Sequence, residues 1–443
     1  NNNICGHILV TTRNSNMAVA QQIDLSVFNL DEAISFLDKR LAGCDHLEKD
    51  GEELKKELCN RLGCLPLALE QAAAYIKVTR TSFLRYLDLL DESGLEAFEI
   101  DGDGYNKPEN YAKSVTTTWE ISFNTIALEG AKQLFFLCVY LASDRIPVKL
   151  FSQGREILPE PVRSNLATIL QSNRILTELR RYSLTTGDSE HISIHRLVQE
   201  VTRNKIRPDT QWMLYDLQLL YNCFSFEYGN VASHEQFLLY IPHVETFANM
   251  SKEQLTGESE QELLALLYGV GGRGYDYLGQ YQKAIKWNKD ALDIRKRILG
   301  ETHYMTAVSY NNLASAYQAA GNYTKALDLY KFALKNFCKE LGPDHATVAS
   351  AYSNIAGIYD CQGEFDRALE YYQKALDIRL EIYGEKHSET AVIYNNIAYV
   401  YARKAHYWEA LENHAKVLEI RKAEVGEKHV LTATSYSNIA YIY

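Results

Sequence analysis

The sequence predicts a mainly α fold whose C-terminal part is an α-α superhelix of stacked helix pairs. Three observations predict it. A Gly followed three residues later by His recurs at Gly300/His303, Gly342/His345, Gly384/His387 and Gly426/His429, each pair 42 residues after the last. In the same register stand Tyr310-Asn311-Asn312, Tyr352-Ser353-Asn354, Tyr394-Asn395-Asn396 and Tyr436-Ser437-Asn438. Small residues keep step as well: Ala284, Ala326, Ala368 and Ala410, with Ala291, Ala333 and Ala375 seven positions further on. Self-similarity at a fixed period means stacked repeats, because one such unit cannot bury its apolar face alone.

Within a unit the periodicity is helical. Tyr310, Leu313, Ala314 and Tyr317 fall at i, i+3, i+4 and i+7, one face of a first helix. Gly321-Asn322-Tyr323 breaks it, Gly supplying the positive φ that a helix C-terminus favours. Ala326, Tyr330 and Ala333 mark a second helix, with alanines where two helices approach closely. Gly342-Pro343-Asp344 ends that helix, since Pro cannot continue it. These residues resemble the tetratricopeptide repeat, and units reading L-G-x-x-H…Y-N-N-(L/I)-A resemble its kinesin light chain variety. The likeness covers residues 263–443 as four units and a part, the unit around Gly269 being the most degenerate.

Earlier segments read as smaller domains. Residues 8–12 form a short β-branched run closed by Thr12 and Arg13, a buried parallel strand whose C-terminal edge is where α/β sheets gather ligands. An Arg there is placed to meet a phosphate. Asn29-Leu30-Asp31-Glu32 resembles a capping box that opens a helix. Residues 52–62 form another helix, stopped by Gly63, and Pro66 opens a third at its first turn. The order h-h-V-T-T-R, D-E-A, L-G-x-L-P-L-A-L resembles the NB-ARC module of the signal-transduction ATPases with numerous domains (STAND). The resemblance implies that Arg13 senses the terminal phosphate and that Pro66 packs near adenine. Cys64 stands where that family usually has Gly.

Residues 111–203 resemble the winged-helix part of the same module: helices at 114–126 and 131–141, then a helix and two short strands around Thr186-Gly187-Asp188. His195 stands where the family's M-H-D histidine contacts the diphosphate of ADP. Ile194 replaces the Met and Arg196 the Asp, so the Asp role is lost. A helix N-terminal His making a local hydrogen bond is the competing reading. Residues 207–262 read as a helical bridge.

Several motifs are refused. Gly269-Val270-Gly271-Gly272-Arg273-Gly274 matches GxGxxG, but no strand precedes it, and it falls in register with the first helix of the first repeat. Each Gly costs a helix roughly 1 kcal/mol relative to Ala, which makes 269–274 a candidate hinge. The run Tyr86–Glu92 imitates a magnesium-site strand but has helical spacing. One His per repeat is set apart by the stacking distance, whereas metal ligands must converge. No GxxxxGK(S/T) occurs.

Composition narrows the class. A net charge of −11 and a pI near 5.6 argue against a nucleic-acid surface. The longest apolar run, at 134–142, is too short to span a bilayer. Eight cysteines without a CxxC read as reduced thiols of a cytoplasmic protein. With Asn1 at its start and Tyr443 inside a fifth unit, the chain reads as a piece of a longer protein.

The expected organisation is therefore the end of a nucleotide-binding domain (1–28), a helical subdomain (29–110), a winged helix (111–206), the bridge (207–262) and the repeats (263–443). The implied function is a nucleotide-dependent signalling switch, off with ADP and on with ATP, with Mg²⁺ held at an upstream site and self-association on activation. ATPase activity is expected only of a full-length chain with an upstream P-loop, and none of this piece alone; no residue here is assigned a catalytic or metal-binding role. The repeats would bind a protein or peptide, with no nucleic acid or membrane partner. Asn312, Asn354, Asn396 and Asn438 offer a row of amides suited to an extended backbone, or else knit adjacent repeats together. The alternative is a non-enzymatic scaffold of kinesin light chain type.

Overall fold

The computed structural model describes residues 28–47, 51–92, 110–206 and 210–443. Arg13 and the strand expected at 8–12 lie outside the described residues. The chain divides into two compact units, the first running to Ile126 and including Arg181–Leu184, the second holding the rest.

In the first unit, α1 (Leu30–Arg40) begins with a true capping box: the Asn29 carboxamide accepts from the Glu32 N–H at 2.9 Å, and Glu32 accepts from the Asn29 N–H at 2.8 Å. Next come α2 (Glu52–Arg61), α3 (Pro66–Thr79), α4 (Phe83–Glu92) and α5 (Asn110–Thr125). The turn into α3 puts Gly63 at φ 63° and Cys64 at φ 51°. Two successive left-handed residues explain why Gly is favoured at both positions; Cys64 bears a side chain there at a steric cost. Leu37, Leu58, Ala68, Leu69, Ile76, Phe83, Tyr86 and Trp119 are buried. Buried Gln71 is satisfied on its carbonyl side by Thr118, whose Oγ1 donates to Oε1 at 2.8 Å. The run at 86–92 is helical, and its Asp91 pairs with Arg61.

The second unit opens with α6 (Glu129–Cys138), β1 (Ile146–Pro147), α7 (Val148–Gln153), α8 (Val162–Asn165) and α9 (Ile169–Arg181). The hairpin β2 (Thr186–Gly187) and β3 (His191–Ser193) leads into α10 (Arg196–Ile206). The three strands form one antiparallel sheet in the order β1-β3-β2, with Ile146 opposite Ile192 and Thr186 opposite Ser193. The Asp188 carboxylate closes the hairpin, accepting from the Glu190 and His191 N–H groups at 2.8 Å each. The bridge consists of α11 (Gln211–Cys223) and α12 (Val231–Ser251).

The repeats follow as four helix pairs and a single helix: α13 (Glu258–Tyr277) with α14 (Tyr281–Leu299), α15 (Tyr304–Ala319) with α16 (Tyr323–Leu341), α17 (Ala346–Cys361) with α18 (Phe365–Tyr383), α19 (Ser388–Arg403) with α20 (Tyr407–Val425), then α21 (Val430–Ile442). One core runs through them, with Ala314, Ala326, Tyr330, Ala333, Ile355, Ala356, Ala368, Ala375 and Ile397 buried.

The glycines at 269–274 do not break α13, which runs straight through them. A Cβ on Gly271 would lie 2.1 Å from the Trp287 ring, one on Gly272 2.6 Å from the Asn288 amide, and one on Gly274 2.1 Å from the Phe237 ring. The expected hinge is thus a close-packed seam, because these three positions lack side chains to admit large neighbours.

Candidate functional site

The recurring residues assemble the joints and the face of the repeats. Each Gly-x-x-His unit is a joint between helices. Gly300, Gly342, Gly384 and Gly426 end their helices at φ between 78° and 89°. Three residues on, His303, His345, His387 and His429 cap the next helix, each Nδ1 accepting the N–H two residues ahead at 3.1–3.2 Å. Thr306, Thr390 and Thr432 complete the joint, donating to the carbonyls of Gly300, Gly384 and Gly426 at 2.7–2.8 Å. The imidazoles therefore serve as helix caps. Among the described residues no group of three or more His, Cys, Asp or Glu could hold a metal ion.

The asparagines form a row on the first helices α15, α17, α19 and α21. Asn354 donates from Nδ2 to Oδ1 of Asn311 in the preceding repeat at 3.0 Å, and Asn438 does the same to Asn395 at 3.0 Å. Where a repeat carries Ser at that position instead, the hydroxyl turns back onto its own helix: Ser353 donates to the Ala349 carbonyl and Ser437 to that of Ala433. Asn312 and Asn396 are half-buried, and among the described residues their amides have no hydrogen-bond partner. Asn311 and Asn395 were not singled out from the sequence, although the alternation of Y-N-N with Y-S-N was the signal that could have found them.

In the same register as Ser315, one repeat earlier, stands Arg273. It is half-buried and makes no ion pair or hydrogen bond among the described residues; desolvation lowers its pKa. Arg295, by contrast, is buried and bound on several sides. Its Nη2 meets Glu262 Oε1 at 2.7 Å, its Nε the same oxygen at 3.0 Å, and its Nη1 donates to the Ser309 hydroxyl at 3.0 Å.

Two acidic or basic groups in the bridge are buried. Asp216 is fully buried, among the described residues neither of its carboxylate oxygens has a hydrogen-bond partner, and desolvation pushes its pKa well up. His243 is 2% exposed, and burial pushes its pKa down to about 4. A pocket of about 440 Å³ is lined by Gln153, Glu156, Asn222, Cys223 and Gln236.

Of the residues assigned to nucleotide, two are among the described residues, each in its own unit. Arg13 lies outside the described residues. Pro66 is exposed at the first position of α3 in the first unit. His195 belongs to the second unit and sits just before α10, its Nδ1 accepting from the Leu197 N–H at 3.3 Å. Arg196, in the place of the motif's Asp, donates from Nε to the Ser143 hydroxyl at 3.4 Å.

Comparison with known proteins places the repeats. The family described as tetratricopeptide repeat matches in four overlapping stretches, 264–339, 305–381, 347–423 and 389–443. Residues 264–443 are tetratricopeptide repeats. A domain of unknown function (DUF7779) matches residues 121–211. A nucleotide-binding leucine-rich repeat (NLR)-like protein of Hyaloscypha variabilis is 28% identical over 325 residues, which are 69% of this chain and 31% of that protein. The chain thus spans about a third of that relative's length. BtubC (BKLC) from P. vanneervenii is 23% identical and covers 45% of this chain and 78% of its own, with a TM-score of 0.39. TPR-like repeats assigned to a Podosopora anserina kinesin light chain are 22% identical, cover 43% of this chain and 88% of their own, and give a TM-score of 0.37. Among the described residues no helix is long and apolar enough to cross a membrane.

Proposed function

We propose that this chain is the regulatory and protein-binding part of a cytoplasmic nucleotide-dependent signalling switch. Its tetratricopeptide repeats take a protein or peptide ligand along the asparagine row. ADP holds the molecule off, and ligand on the repeats permits exchange for ATP and self-association. In this reading 111–206 is a winged helix that closes over the nucleotide. Arg13, Pro66 and His195 then face the terminal phosphate, the adenine and the diphosphate, and Mg²⁺ is held upstream. The observation that carries the reading is the order of the T-T-R, L-P-L-A-L and His195 motifs ahead of an in-register repeat array. A relative named as NLR-like supports it.

The test uses the full-length protein purified without added nucleotide, denatured, with released ADP and ATP quantified by ion-exchange chromatography. Near-stoichiometric ADP is the expected result. A folded protein that releases none overturns the switch in favour of a non-enzymatic scaffold, which the Asp-to-Arg exchange at Arg196 favours. The asparagine row serves either reading.

A further inference from the structure

The four groove asparagines are equivalent in sequence but not in bonding. Asn354 and Asn438 each spend a donor on the previous repeat, because that repeat offers the carboxamides of Asn311 and Asn395. The residues in that place before Asn312 and Asn396 are Gly269, which has no side chain, and Ser353, whose hydroxyl is committed to the Ala349 carbonyl. Asn312 and Asn396 are half-buried, and among the described residues their amides have no hydrogen-bond partner.

We infer that the repeats read their ligand at every second repeat, through Asn312 and Asn396, and that the ligand is an extended peptide main chain. This rests on the repeats' being a peptide-binding surface, as proposed above. A carboxamide offers a donor pair and an acceptor on one plane, which matches the N–H and C=O of a single extended residue. A side chain tied to the previous repeat must share or give up that bond to meet a ligand, whereas one without a tie offers its whole carboxamide. The spacing follows from helix packing. Short carboxamides touch directly across a junction, so neighbouring first helices lie at the usual 8–10 Å separation, and two repeats span roughly 16–20 Å. At about 3.3 Å per extended residue, the two contacts fall roughly five or six residues apart on the ligand.

The experiment selects ligands for the immobilised full chain from a phage library of random 12-residue peptides, then measures the winning peptide by fluorescence polarisation. Asn312→Ala and Asn396→Ala are each expected to weaken binding about tenfold. Asn354→Ala and Asn438→Ala should change it less than about threefold. Ser353→Asn rebuilds the tie seen at Asn311 and Asn395 and draws in Asn396, so it should weaken binding as Asn396→Ala does without harming the fold. N-methylation along the peptide should reveal two sensitive amides about five or six residues apart. Equal losses at all four asparagines, or no loss at Asn312 and Asn396, overturn the alternation while leaving a peptide-binding surface. Failure to select any peptide overturns that underlying reading, and the alternation with it.

Discussion

The first repeat and the three that follow share a period but not a method of packing. In the later repeats the two in-register positions both hold large residues of the core: Leu313 and Leu329, then Ile355 and Tyr371. The first repeat inverts the volumes, with Gly271 on one helix and Trp287 on the other. The small Ala314 and Ala356, in register with Gly272 as Tyr330 and Tyr372 are with Asn288, give way to a Gly272 that faces Asn288. Where Ala316, Ile358 and Val400 follow, Gly274 admits Phe237 from the bridge helix α12. A repeat with no repeat before it must dock on something irregular, and it does so by removing Cβ atoms from its first helix. The lesson is that a degenerate repeat at an array boundary is a fitted surface. Its glycines are occupied volume rather than slack.

That contrast can be broken most forcefully at the seam. Gly271→Leu places a side chain inside the Trp287 ring and should destabilise the chain by at least about 3 kcal/mol, read by chemical denaturation. The in-register change Leu313→Ile in the second repeat should cost below about 1.5 kcal/mol. Equal losses would mean that the seam is as adaptable as the ordinary packing. Next in size is Arg295→Ala, which removes a buried guanidinium from Glu262 and from the Ser309 hydroxyl. Glu262 keeps partial access to solvent, so the expected loss is about 2 kcal/mol rather than the larger cost of stranding a fully buried charge. A loss no larger than that of Lys296→Ala, an exposed pair with Glu301, would reduce Arg295 to a surface contact.

The legible part of the molecule was the part with a period. Helix positions, the joints at Gly-x-x-His and the helical nature of the false GxGxxG follow from spacing, since 3.6-residue periodicity and terminal glycines leave little choice. The capping box at Asn29 was legible for the same reason: it is a local bond between residues three apart. Pairing across repeats was not legible at the outset. Whether Asn354 faces a ligand or Asn311 depends on a contact 43 residues distant. The seam was misread as a hinge because propensity counts what Gly costs a helix, not what fills the space it leaves. Nor do Pro66 and His195, each in a local capping or first-turn geometry, say from sequence alone what approaches their exposed sides.

The bridge behind the seam buries an imidazole and a carboxylic acid, and this predicts an acid sensitivity. His243 has its pKa lowered from 6.5 to about 4 by burial, so below pH 6.5 the unfolded chain binds a proton that the folded chain refuses. Stability should fall as pH drops through that window, by about 2 kcal/mol at pH 5. His243→Phe should flatten the slope between pH 7 and pH 5, and an unchanged slope would remove His243 as its source. Asp216 works in the opposite sense: its raised pKa costs stability as pH climbs above the ordinary carboxylate range. The difference between variant and parent isolates the histidine.

The smallest expected effect lies in the regular repeats, where one joint departs from its fellows. The turns between first and second helices use Gly279, Gly321 and Gly363 at φ of 70°, 76° and 78°, but the last uses Ala405 at φ 60°. A Cβ in the left-handed region costs about 1 kcal/mol, and replacing it with Gly returns part of that gain as added freedom of the unfolded chain. Ala405→Gly should therefore stabilise by about 0.5 kcal/mol, whereas Gly363→Ala should destabilise by about 1 kcal/mol. The two measured side by side separate the turn's geometry from any general effect of glycine. If Ala405→Gly destabilises instead, the methyl group makes a contact that outweighs its strain, and the last repeat joins the first in being fitted rather than repeated.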